Sequence, residues 1–391
     1  MKIGVDCRMY GVKYAGIGRY AQNLIENLIA EDQENEYFLI VRRDFEDNIK
    51  NQNPKIKIAL ADIPHYSLKE QFFLPFILYK ERLDLVHFPH FNVPFWYLKK
   101  YIVTIHDLIK HYSRGSKTTT RSPLVYWLKY LGYKFIFWWT VKRAVKILVP
   151  SNFVKNELIK EYNLDPSKIV VSYEGVDKSF KNIDESKANE VLDKYKIKKP
   201  YFLYVGNVYP HKNIERLIEA IKLINGKLST IDKKKLVANG RVTITLVIVC
   251  ARNVFEEKLR RKIQEIKAED KINFVGFVPD EELGILFSQS IAFIFPSLFE
   301  GFGLPGLEAM ARETPVIASN IPVFNEIYDK AAIYFDPNDA KDMADKMSEV
   351  LKEKTRMAMI KKGRGQVKKY SWKKMARETL QIYNTCLNEQ L

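Results

Sequence analysis

Cysteine is scarce in this chain: its 391 residues hold three, Cys7, Cys250 and Cys386, far apart and with no Cys-x-x-Cys pair. That set argues against a disulfide framework and a structural zinc site, and fits a reducing cytosol. No apolar run approaches the ~20 residues that a bilayer-spanning helix needs. No signal peptide is legible, because after Met1 and Lys2 the chain enters a strand-like run at once. Acidic residues fall short of basic ones, 47 against 63, leaving a net charge of +16. The lysines are spread along the whole chain, and neither an RNA-recognition signature nor a zinc finger accompanies them. The charge therefore reads as a compositional habit with a weak surface effect, not as nucleic-acid binding.

What is present is a soluble-type composition, 47% hydrophobic and 28% charged, in a chain too long for one core. Short apolar runs alternate with helical patterns. In the first half they are Ile3–Cys7, Tyr37–Val41, Asp84–Phe88, Tyr101–Ile105, Lys146–Val149 and Ile169–Tyr173. In the second half they are Tyr201–Val205, Thr243–Cys250, Lys271–Val278, Ile291–Pro296 and Ala331–Asp336. Such βα alternation predicts an α/β protein with parallel, doubly wound sheets, whose ligands sit beyond the C-terminal strand ends. Asn225 to Arg241 reads as an exposed loop, Asp280 as the cap of a helix over Glu281–Gln289, Asp339–Glu353 as one helix, and Ser371 as the cap of a final amphipathic helix.

The chemistry-bearing stretch is Phe299-Glu300-Gly301-Phe302-Gly303-Leu304-Pro305-Gly306-Leu307-Glu308. It joins a strand to a helix that Pro305 is well placed to begin, the arrangement in which backbone N–H groups meet an anion. Gly301 and Gly303 lack the Cβ that would block a phosphate, and Glu300 and Glu308 add two acceptor-only carboxylates. Gly16-Ile17-Gly18 after the first strand is a weaker phosphate-loop signal. Lys212 lies at a strand's C-terminal end near a helix start, where an ammonium reinforces the helix dipole. His106 ends another strand. His87 and His90 are too poorly supported for a metal pair and read as packing.

In context these motifs are specific. The run F-E-G-F-G-L-P-G-L-E-A-M-A, with T-P-V-I-A-S after it, closely resembles the donor-sugar motif of retaining glycosyltransferases of family 4. Y-V-G-N-V-Y-P-H-K-N around Lys212, G-I-G-R-Y at Gly16 and V-T-I-H-D-L at His106 are similar to further segments of that family. The resemblance implies the GT-B fold, two Rossmann-like doubly wound domains facing across a cleft. Residues 1–176 with the C-terminal helix 371–391 would bind the acceptor, and 177–370 the nucleotide-sugar donor.

It also assigns roles. Lys212, Glu300 and His106 would be catalytic. The donor would meet Glu308 through its ribose, Gly301, Phe302, Gly303 and Leu304 through the loop, and Gly16 and Gly18 from the opposite domain. Phe277 and Val278 would form a platform for the base. Many members carry arginine at the position of Asn207, and Arg252 is the candidate substitute for that second cation. The P-H-K-N form is similar to bacterial mannosyltransferases of polysaccharide biosynthesis, which favours GDP-mannose as donor and a glycan or lipid-linked glycan as acceptor. UDP-sugar transfer and a catalytically silent sugar-nucleotide-binding homologue are the alternatives. No Asp-x-Asp stands where the diphosphate would lie, so no metal and no other cofactor is expected. The aromatic, basic segment from Pro123 to Val145 suits either a buried helix or peripheral contact with anionic lipid, and the expected location is the cytoplasm, at the inner face of the membrane in the second case.

Overall fold

A computed structural model describes residues 1–11, 14–43, 55–112, 123–176, 183–230, 243–251 and 254–388. The chain divides into two compact units, Met1–Gly175 with Ser371–Leu391, and Val176–Tyr370. Each is built on one parallel sheet.

Among its described residues the first unit has seven strands: β1 Lys2–Asp6, β2 Glu36–Val41, β3 Ile56–Leu60, β4 Leu85–Phe88, β5 Tyr101–Thr104, β6 Lys146–Val149 and β7 Ile169–Val171. Their order across the sheet is β3-β2-β1-β4-β5-β6-β7. β4 and β5 are buried at every residue, as expected of central strands covered on both faces. Helix Trp372–Asn388 packs against helix Ala15–Glu31 of the same unit, and Glu31 receives Lys373 and Arg377.

Among its described residues the second unit has six strands: β8 Tyr201–Val205, β9 Thr245–Val249, β10 Ile272–Gly276, β11 Phe293–Phe295, β12 Val316–Ser319 and β13 Ala332–Phe335, ordered β10-β9-β8-β11-β12-β13. Both sheets therefore reverse direction once, between β1 and β4 and between β8 and β11. Those switch points are where open α/β sheets leave a crevice for ligands.

Several local expectations need correction. Gly16 and Gly18 lie inside the first turn of helix Ala15–Glu31, not in a loop before it. Residues 225–230 continue helix Ile214–Thr230, because Asn225 bonds back to Ile221 and across to Ile244 instead of opening a turn. Asp280 is the first helical residue of Asp280–Gln289; Pro279 occupies the capping position and supplies no side-chain bond. The expected Asp339–Glu353 helix is Ala340–Glu349, capped by Asp339, followed by a separate helix Glu353–Val367. β3 and helix Leu68–Lys80 were not expected at all. β3 lies at the sheet edge with none of its residues fully buried, and the helix carries Pro75 in its interior, so neither gives a clean periodic signal.

Candidate functional site

In the second unit the chain leaves β8 through Gly206 and Asn207, tightens into a turn at Pro210–Lys212 and enters helix Ile214–Thr230 through Asn213. Asn213 adopts a left-handed conformation, φ 59°, and its side chain donates to the Pro337 carbonyl at 2.8 Å. On the neighbouring strand, β11 runs into Pro296–Phe299, and the Leu298 N–H donates to the His211 carbonyl at 2.8 Å. The two loops are thus tied together at the switch point.

That tie brings Lys212 to Glu300. The ammonium reaches Glu300 Oε1 at 2.5 Å, and the Ser297 hydroxyl donates to the same oxygen at 2.7 Å. Both side chains are largely but not wholly covered, 17% and 10% exposed, so the pair remains open to a ligand. Lys212 Nζ also lies 5.9 Å above the Phe295 ring. Burial, and then the charge of Lys212, push His211 down to about 4. His211 is therefore neutral near pH 7 and does not supply the second cation that Asn207 lacks. Asn207 is half-buried and its carbonyl accepts the Tyr204 hydroxyl at 2.5 Å. Arg252 lies outside the described residues.

Gly303 stands at φ +104° and caps helix Leu304–Ala311. A Cβ here would lie 2.3 Å from the Tyr328 hydroxyl, and one at Gly306 would lie 2.4 Å from it. Tyr328 in turn donates to the Gly303 carbonyl at 2.5 Å. The glycines thus make room for a buried tyrosine, a packing reason that the local sequence did not reveal. Phe302 and Leu304 are buried, and Phe302 meets Tyr370 edge-on at 5.6 Å. Glu308 is buried one turn into the helix, at 5% exposure. Phe277 is exposed beyond Gly276, but it follows β10, which β9 separates from β8, and Val278 is core. Lys212, Glu300, the 301–304 loop and Glu308 are thus gathered around β8 and β11, while Phe277 and Val278 follow the sheet's edge strand.

The first unit has its own polar cluster at its switch point. Arg8, fully buried, lies between Asp6 at 2.6 Å and Glu70 at 2.6 Å and donates to the Ile63 carbonyl at 3.3 Å. Glu70 also accepts the Tyr66 N–H and the Asn92 amide. Asp6, Arg8, Glu70 and Asn92 line a small recess with His65 and His90. No sequence signal joined Arg8 to Glu70, which stands 62 positions away. Gly16 is open to solvent, whereas a Cβ at Gly18 would strike the Gly11 carbonyl, so Gly18 is needed for packing. His106 donates from Nδ1 to Glu174 at 3.2 Å and from Nε2 to the Pro89 carbonyl at 3.0 Å. Burial disfavours its cation, but the hydrogen bond and charge of Glu174, with Pro89 and Asp107, outweigh it and raise the pKa above 6.5. His87 is packing, as expected: it is buried between Tyr383 at 2.7 Å and Thr104 at 2.8 Å.

Two Rossmann-like units, one of which carries a glycine loop beside a lysine at its switch point, define a protein of the GT-B fold class. Residues 14–180 match Glycosyltransferase Family 4 and residues 186–366 match Glycosyl transferases group 1, and the chain belongs to this glycosyltransferase family. Among curated relatives it is 34% identical to the O-antigen chain mannosyltransferase RfbU of Salmonella typhimurium over 66% of this chain and 62% of that one. It is 29% identical to O-antigen chain mannosyltransferase B of Escherichia coli over 61% and 60%. The chain thus spans about three-fifths of the length of these two relatives. Sucrose-phosphate synthase from Thermosynechococcus elongatus shares the fold at a TM-score of 0.76 and 18% identity, covering 100% of both chains. Anabaena HepE, solved in complex with UDP and glucose, does so at 0.73 and 14%, covering 98% of this chain and 100% of that one.

Proposed function

We propose that the protein is a retaining mannosyltransferase. It would move mannose from GDP-mannose to a saccharide acceptor, carried on a lipid, at the inner face of the membrane. The observation that carries this reading is the Lys212–Glu300 contact at 2.5 Å across the β8/β11 switch point, beside a glycine loop that opens a helix. The mannosyltransferase relatives support the sugar.

In the reaction the bond between the sugar's C1 and the β-phosphate oxygen breaks, and a bond from the acceptor hydroxyl to C1 forms on the same face. The acceptor's proton passes to the departing phosphate oxygen, leaving nucleoside diphosphate. Lys212 and the backbone N–H groups of Gly301, Phe302 and Gly303 carry the charge that grows on that diphosphate, aided by the helix start at Leu304. Glu300 both positions Lys212 and accepts sugar hydroxyls, and Glu308 accepts the ribose hydroxyls. His106 is assigned to the transferred sugar, which it would meet through the ring nitrogen that now bonds the Pro89 carbonyl. Lys212 fills the place a divalent ion would take, so no metal is needed.

Activity with chelator beside the Lys212→Ala variant tests this. Lys212→Ala is expected to lose ~10²–10³ in kcat, the scale of one removed transition-state donor. EDTA is expected to leave the parent unchanged. Loss with EDTA that Mg²⁺ or Mn²⁺ restores overturns the metal-free reading, and a nearly normal Lys212→Ala overturns the role of the lysine.

A further inference from the structure

Helix Leu68–Lys80 and helix Pro123–Arg143, both in the first unit, turn large apolar side chains outward. Phe76 is 72% exposed and Leu131 64%, and Phe72, Phe135 and Trp138 are each close to half exposed. The segment between β4 and β5 joins the two helices. Trp96 lies 6.5 Å from Phe72, and its neighbour Phe95 lies 5.6 Å from Phe135 and 4.5 Å from Trp139. The Tyr79 hydroxyl donates to the Trp96 carbonyl and accepts the Leu98 N–H, and Arg143 donates to the Leu98 carbonyl, fixing that bridge to both helices. The result is one continuous aromatic face. Soluble monomers rarely expose a contiguous apolar patch of this kind without a partner for it.

The charge that the two helices themselves expose is basic, although Glu161 pairs with Lys134 at one side. Lys69, Lys80, Lys99, Lys129, Lys142 and Arg143 are exposed on these elements. Helix Pro123–Arg143 contains no acidic residue, and the only one in helix Leu68–Lys80, Glu70, points inward to Arg8. Exposed Trp and Phe fringed by Lys and Arg fit the interface of an anionic bilayer, where rings sit at headgroup level and ammonium groups meet phosphate. A second copy of the chain fits less well, because a two-fold interface would set this basic fringe against itself.

We propose that this two-helix face docks the protein on an anionic lipid surface. Both helices and the Phe95–Trp96 bridge take part. The proposal deepens the reading of a membrane-carried acceptor, and its test needs neither donor nor acceptor, so its failure and that of the transferase reading are separable. The chain is floated with vesicles of phosphatidylglycerol in phosphatidylcholine, and of phosphatidylcholine alone, at low and high salt. Binding to the anionic vesicles is expected, weakened by salt. The double variants Phe72→Ser/Phe76→Ser and Phe135→Ser/Trp138→Ser are each expected to cut binding about tenfold or more, since each removes substantial apolar area from the lipid. Thermal unfolding confirms that each variant is folded, and having one pair on each helix keeps the test decisive if one fails to fold. No binding to anionic vesicles overturns the proposal. So does binding that neither pair changes, or a dimer that either pair dissociates.

Discussion

His106 is held by two acceptors, the Glu174 carboxylate and the Pro89 carbonyl, so both bonds are made in full only when both ring nitrogens carry protons. The folded protein favours the imidazolium, and that preference is a stability term with a definite sign. A group whose pKa rises on folding stabilises fully below its unfolded value, near 6.5, and loses that contribution as pH rises through the folded value. Glu174→Gln keeps the shape and an acceptor but removes the charge. The variant is expected to be less stable by roughly 1–3 kcal/mol at pH about 5.5, the scale of a hydrogen bond to a charged group. The gap should narrow as pH rises through the folded pKa of His106, where the imidazolium is lost. Thermal unfolding across that range measures it, and a gap independent of pH would show that Glu174 does not act through the charge of His106. Of this small assembly the sequence offered only the histidine. Its placement after Thr104-Ile105 was visible, but Glu174 is 68 positions away and no local pattern connects them. Lys212 and Glu300 were legible for the opposite reason: each lies within its own strand–loop–helix signature, and adjacency of β8 and β11 brings the two signatures together.

Among the elements, the C-terminal helix Trp372–Asn388 shows how a remote segment is locked onto the first sheet. Tyr383 bonds His87 Nδ1 on β4; His87 Nε2 bonds the Thr104 hydroxyl on β5, which in turn bonds the Tyr20 hydroxyl of helix Ala15–Glu31 at 3.0 Å. All four side chains are buried, and burial pushes His87 down to about 3, so the chain of bonds is uncharged at any ordinary pH. Tyr383→Phe removes a hydroxyl of little volume and leaves His87 Nδ1 buried without its partner. The expected cost is ~1–3 kcal/mol. For a unit of this size that lowers its Tm by about 2–4 °C per kcal/mol, read by circular dichroism. An unchanged Tm would mean that packing alone holds the helix. The helix itself was legible, because Ser371 precedes an amphipathic pattern whose buried face includes Met375, Thr379 and Tyr383. Helix Leu68–Lys80 was not, because its outer face is as apolar as its inner one, and a period cannot be read where both faces match. That missing contrast is the same property that exposes Phe72 and Phe76.

At the scale of the whole molecule, the residues assigned to donor binding and to lipid docking fall in different units. Lys212, Glu300, Glu308 and the 301–304 loop all belong to Val176–Tyr370, whereas the aromatic face and His106 belong to the other unit. A nucleoside diphosphate without its sugar is therefore expected to stabilise the second unit selectively. At a hundred times its Kd, GDP adds about 2.7 kcal/mol to the unit that binds it, worth roughly 5–10 °C in that unit's Tm. Glu308→Ala loses the charge-assisted bonds to the ribose, and its GDP affinity should fall roughly tenfold to a hundredfold. At the same GDP concentration the added stability then drops to between about 1.4 and 0.4 kcal/mol. Calorimetry gives the affinities, thermal unfolding the shifts, and hydrogen exchange locates the effect. Slowed exchange is expected in residues 207–214 and 297–311, with β1 to β3 unchanged. An equal shift in Glu308→Ala would remove the ribose assignment, and slowing confined to the first unit would move the donor site there. A larger shift with UDP than with GDP would reverse the choice of base while leaving the site where the glycine loop and Lys212 meet.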